Sequence, residues 1–189
     1  EPATEVGGDY YDVLNQGDRI MMSIGDVTGH GLESGVLMIM AQTAVRALST
    51  LDDYDSQRLL KALNQVVYQN AQRMGSSRHL TLSLLSYNEG KLLVTGQHEE
   101  VIVVRQDGTI ERVDTIDLGF PVGMVEDIDA FINQQHIALN IGDGVVLYTD
   151  GITEAENRDR TFYGLDRLVA VIQNHWHLTA GEIRATIIQ

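Results

Sequence analysis

Gly25-Asp26-Val27-Thr28-Gly29-His30-Gly31 decides how this chain is read. It follows the apolar run Ile20-Met21-Met22-Ser23-Ile24, which predicts a strand, and precedes a helical pattern that starts near Leu32. A carboxylate at a strand's end, in a loop with three glycines, reaches a ligand without backbone crowding. Two other stretches repeat the theme. Gly7-Gly8-Asp9-Tyr10-Tyr11-Asp12 lies upstream, and Tyr148-Thr149-Asp150-Gly151 ends a later apolar run. Carboxylates in such settings, brought together by folding, make an oxygen-only site for hard divalent cations.

The hairpin around Asn15-Gln16-Gly17-Asp18 relates the first two stretches. With Gln16-Gly17 as the central turn pair, Asp9 faces Ile24 and Gly7 faces Asp26. Asp9 and Asp26 are then diagonal neighbours on one face, within reach of a shared ion, and Asp12 points to the other face. A slip of one residue reverses the faces and selects Asp12 instead.

Outward from there, Leu37, Met40, Ala41, Ala44, Val45 and Leu48 have the spacing of an amphipathic helix over Leu32 to Leu48. The polar link Asp52-Asp53-Tyr54-Asp55 leads to a second helix capped by Ser56 and stopped at Gly75. From His79 the period becomes two. Strands are expected from Leu80, over Lys91 to Thr95, Val101 to Arg105, Ile110 to Val113, Phe131 to Leu139 and Val145 to Thr149. Helices are expected over Leu165 to Asn174 and Ala180 to Ile188. Strands, a helix pair, more strands and a closing helix pair read as α+β, antiparallel sheets covered by helices.

Composition narrows the function classes. The chain has 189 residues, 43% of them hydrophobic, which suits one packed domain. The apolar run from Val36 to Ala41, among the longest, is six residues, short of the roughly 20 a membrane helix needs. Zero cysteines exclude disulfides, thiol catalysis and Cys-based zinc sites. A cytoplasmic protein is the expectation. A net charge of −14 argues against binding a phosphate backbone. Bound metal ions would still let an acidic protein act on phosphates. No Gly-x-Ser-x-Gly elbow, Walker loop or dinucleotide fingerprint is present. Asp beside Gly is ordinary turn chemistry, and Asp143 in Gly142-Asp143-Gly144 is read as that alone. Asp26 and Asp150 differ because each directly follows an apolar strand, where Asp is poorly placed.

The combination of VGGDYYD at 6–12, GDVTGHG at 25–31 and IGDGVVLYTDGITEAEN with FYG, at 141–164, resembles the metal-dependent, type 2C-like (PPM) protein phosphatases. More narrowly it is similar to their bacterial SpoIIE and RsbU branch, over Val6 to about Leu168. The resemblance implies an αββα sandwich, two antiparallel β-sheets flanked by antiparallel helix pairs. It implies that Asp26 bridges two Mg²⁺ or Mn²⁺ ions and that the Val27 carbonyl binds one of them. Asp9 would hold the second ion, partly through water, and Asp150 the first. Ions about 3.5–4 Å apart would generate a bridging hydroxide that attacks phosphorus in line. Asp26 and Asp150 are thereby the candidate catalytic residues.

The implied activity is hydrolysis of phosphoserine or phosphothreonine on a regulatory protein, a phosphorylated STAS-type anti-anti-sigma protein. The branch also implies sigma factor regulation, a homodimer, and an N-terminal sensor or receiver domain outside this chain. Family members carry a further Asp on a strand after the last helix. This chain stops at Ile188-Gln189, so residues 1–189 are read as a single domain lacking that strand. The family's Ala-Gly-His-x-Pro segment is replaced by Thr95-Gly96-Gln97-His98-Glu99-Glu100, which receives no role. The competing reading is a catalytically silent binding module on the same fold.

Overall fold

The computed structural model describes residues 7–50 and 55–188, which form two compact units. The first runs up to His98 and from Thr115 to Ala138; the second covers Glu99 to Asp114 and Leu139 onward.

In the first unit, β1 (Tyr10–Gln16), β2 (Arg19–Val27), β3 (Leu80–Asn88), β4 (Lys91–Thr95) and β7 (Gln134–Ala138) form a sheet in the order β1-β2-β3-β4-β7. Every neighbouring pair is antiparallel. The β1–β2 turn is Gly17-Asp18, one residue later than the expected Gln16-Gly17, because Gln16 pairs with Arg19. Gly17 has φ 65 and occupies the first central position, where primed hairpin turns need positive φ.

Helices α1 (Leu32–Ser49) and α2 (Ser56–Met74) cover one face of this sheet. Leu37, Ala41 and Val45 of α1 meet Leu59, Leu60, Leu63 and Val67 of α2 over Tyr10, Met21, Val27, Leu80, Leu82 and Leu84. Each large side chain buried this way contributes about 1.5–3 kcal/mol of transfer free energy. The cap of α2 is Asp55, not the expected Ser56: its carboxylate accepts the Gln57 and Arg58 amides. Ser56 instead shares a hydrogen bond with Thr95 at 2.8 Å. Of the polar link, only Asp55 is described; residues 51–54 lie outside the described residues.

The strand expected over Phe131 to Leu139 begins later. Asp129–Phe131 is a 3₁₀ turn, with the Phe131 ring 4.7 Å from that of Phe120. The apolar Phe131 serves aromatic packing, and only Gln134–Ala138 joins the ladder, beside β4.

In the second unit, β5 (Val101–Val104), β6 (Ile110–Val113) and β8 (Gly144–Val146) form an antiparallel sheet in the order β6-β5-β8. The short α3 (Asp150–Thr153) is followed by α4 (Leu165–His175) and α5 (Ala180–Ile188). Ile102, Val104, Tyr148, Leu168, Ile172 and Ile183 make the core. The expected strand over Val145 to Thr149 pairs only as far as Val146; Leu147 to Thr149 continue outside the ladder. Two antiparallel sheets with helices packed on them place the chain in the α+β class, as expected from the order of its elements.

Candidate metal centre

The hairpin register is what sets Asp9 against Asp26. Tyr10 pairs with Gly25, and the Val27 amide donates to the Gly8 carbonyl at 3.3 Å, so the ladder runs on past β1. Asp9 therefore stands directly opposite Asp26, not diagonal to it as a Gln16-Gly17 turn would have made it. The shift is by two, so the two residues still share a face. The Val27–Gly8 bond joins directly opposite residues, which makes the next pair, Asp9–Asp26, the close, non-hydrogen-bonded kind. Carboxylate oxygens of Asp9 and Asp26 lie within 4.8 Å of one another. Two like charges facing each other across a strand pair destabilise it unless a cation lies between them.

Val27 adds a third oxygen. The Thr28 amide donates to the His79 carbonyl at 2.9 Å. The peptide plane then turns the Val27 carbonyl the opposite way, toward Gly8. A Cβ built on Gly8 would come 2.4 Å from the Val27 oxygen and 2.8 Å from Asp26 Oδ1. Only glycine fits there, and two ligand-type oxygens converge above it.

Asp150 belongs to the second unit, where it opens α3 half-buried. Its surroundings are acidic. Burial and then the Asp150 charge hold the Glu99 carboxyl above the ordinary range. Burial and Glu99 in turn push the Tyr148 hydroxyl up. Glu154 closes the turn with its amide on the Asp150 carbonyl at 2.7 Å.

Other sequence candidates have structural partners. Asp12 points to the helix-covered face and is nearly buried, with Arg46 Nε and Nη2 at 2.6 and 2.8 Å from its oxygens. Asp143 accepts from the Asn140 amide, as a turn residue does, and beyond that reading also from Arg105 at 2.8 Å and from the Gln106 amide. In the segment that received no role, His98 Nδ1 lies 2.8 Å from Thr81 Oγ1. Thr81 is the β3 residue opposite Asp26. Sequence reasoning missed Thr81, since a Thr in a strand is ordinary and only the register sets it beside a carboxylate. Among the described residues, no helix is long and apolar enough to cross a membrane.

Comparison with known proteins gives these features a context. The sequence profile of the family "Stage II sporulation protein E (SpoIIE)" matches residues 16–189. The phosphoserine phosphatase RsbU of Bacillus subtilis is 30% identical over 186 residues, 96% of this chain. The chain spans about half of that relative, 53% of its length. Among solved structures, the SiaA-PP2C domain of Pseudomonas aeruginosa superposes with a TM-score of 0.80 at 18% identity, over 100% of this chain and 74% of that one. RsbX in complex with magnesium gives a TM-score of 0.70 at 12% identity, over 99% of this chain and 82% of that one. These two likenesses show the PP2C-type fold. The profile match spans nearly all of the sequence, and the chain belongs to the SpoIIE family.

Proposed function

We propose that this chain is a metal-dependent protein serine/threonine phosphatase domain, acting on a phosphorylated STAS-type protein in the cytoplasm. The observation that carries the reading is the Asp9–Asp26 pair, held face to face with the Val27 carbonyl beside it. The donors are carboxylate and carbonyl oxygens, which suit Mg²⁺ or Mn²⁺. The space above Gly8 that a Cβ would fill is the kind of cradle such an ion needs. The acidic surroundings of Asp150 favour a cation there as well.

In this reading Asp26 would serve both of two ions, Val27 and Asp150 the first, and Asp9 the second. Bound ions supply the charge that neutralises phosphoryl oxygens and activates water. The chain's own contribution would be four donor residues, three on a strand pair and one in a turn, so that little reorganisation accompanies the reaction. Membership of a family with a phosphoserine phosphatase relative supports the activity. A homodimer and an upstream sensor or receiver domain belong to the same reading.

The test is phosphate release from a phosphoserine STAS protein, titrated with Mn²⁺, by the wild type and Asp26→Asn. Metal-dependent release that the substitution removes is the expected result. Capture of the phosphoprotein with no release at saturating Mn²⁺ would instead establish the silent binding module.

A further inference from the structure

We infer that Arg78 is a positioning residue for the metal centre, acting through the backbone of the loop that carries Asp26 and Val27. The inference rests on the metal reading above. Arg78 lies just ahead of β3 and reaches back across the sheet's end to the 28–34 segment. Its Nη1 donates to the Thr28 carbonyl at 2.5 Å and to Ser34 Oγ at 2.9 Å. Its Nη2 donates to the His30 carbonyl at 3.2 Å, and its Nε to Glu33 at 3.1 Å. One planar guanidinium thus closes on both carbonyls flanking Gly29. A lysine, with one compact ammonium on a flexible stem, cannot reproduce that fork.

The loop is shaped around this side chain. Gly29 has φ 77, and a Cβ there would lie 2.0 Å from Arg78 Nη1. The residue before it is held from the other side. The Thr28 amide and hydroxyl both engage the His79 backbone, at 2.9 and 3.2 Å. The Arg78 guanidinium thus holds the Thr28–Gly29 peptide by its carbonyl, and the ladder at His79 holds the adjoining Val27–Thr28 peptide plane by its N–H. That plane determines where the Val27 carbonyl points, and Asp26 is the next residue back. Outer residues that orient ligands in this way are commonly worth about 10- to 100-fold in metal affinity.

A simple surface ion pair with Glu33 is the competing account. Glu33 is 57% exposed in that pair, where such contacts contribute little. The two accounts separate cleanly. Removing Glu33 spares the backbone contacts; removing Arg78 does not.

The experiment measures Mn²⁺ binding by calorimetry and by the Mn²⁺ electron paramagnetic resonance signal, alongside phosphate release. It uses the full chain and its Arg78→Met, Arg78→Lys and Glu33→Gln variants. Arg78→Met is expected to bind Mn²⁺ about 10- to 100-fold more weakly, with Arg78→Lys in between. Glu33→Gln is expected to bind like wild type. Phosphate release by the Arg78 variants should recover toward wild type at saturating Mn²⁺, a split that a general loss of folding would not produce. If Arg78→Met does not fold, Arg78→Lys carries the comparison. Wild-type Mn²⁺ affinity in the folded Arg78 variants overturns the inference and leaves the metal reading standing. A wild type that binds no Mn²⁺ overturns both.

Discussion

Among single residues, the Asp9–Asp26 pair stores a repulsion. The two face each other with oxygens within 4.8 Å, an arrangement that ordinary strand pairs avoid. Asp9→Asn replaces one charge by an amide of the same shape. In chelator the variant should be more stable than wild type, by about 0.2–1 kcal/mol. With Mn²⁺ in excess the order should reverse, because the wild type alone gains the full binding free energy, about 2.7 kcal/mol at a hundredfold excess over the dissociation constant. Thermal melts in the two conditions check this, and a variant less stable in both would contradict the stored repulsion. That Asp9 and Asp26 share a face followed from the residue spacing for one choice of turn, and the observed register keeps it, whereas a slip of one residue would have selected Asp12. The turn lies one residue later than the spacing suggests and the pairing moves by two, and an even shift keeps every side chain on its own face.

At the level of elements, caps and long-range partners decide what local pattern leaves open. Ser56 and Asp55 are both ordinary capping residues. The structure gives the cap to Asp55 because Ser56 is drawn into the sheet by Thr95 and by Gln134, whose amide donates to it at 2.9 Å. Asp55→Ala should therefore cost about 1 kcal/mol, and Ser56→Ala should leave the α2 amides capped. Urea unfolding monitored by helical ellipticity measures the first. An unchanged midpoint would show that the cap is dispensable. The Asp12–Arg46 pair joins β1 to α1 across 34 positions of sequence, a distance at which no periodicity reports a contact.

For the molecule as a whole, stability should show an acid limb to which the enclosed Asp143 carboxylate contributes. The Asp143 side chain is 3% exposed, and its carboxyl is held down at about 2 by the Asn140 amide, Arg105 and the Gln106 amide. A depressed value means that the folded state binds its proton less readily than the unfolded chain. Its contribution is complete above the ordinary carboxylate value of 3.8 and is lost as pH falls from about 4 toward about 2. Asp143→Asn should flatten stability across that window and lower it at neutral pH. Urea midpoints measured from pH 2 to 7 test this, and parallel curves for the two proteins would remove the assignment.

Residue order alone was enough to tell where most strands and helices lie and, for a given turn register, which side chains share a face. Those properties follow from the two- and 3.6-residue periods, which are local sterics. Folding in three dimensions was needed to set Asp9 opposite Asp26, to turn the Val27 carbonyl toward Gly8, and to bring Arg78 onto the loop that follows them. Each of these depends on a turn conformation, a peptide plane or a side-chain reach set by contacts elsewhere in the chain. An arginine ahead of a strand looks the same in sequence whether it points to water or holds two carbonyls in place.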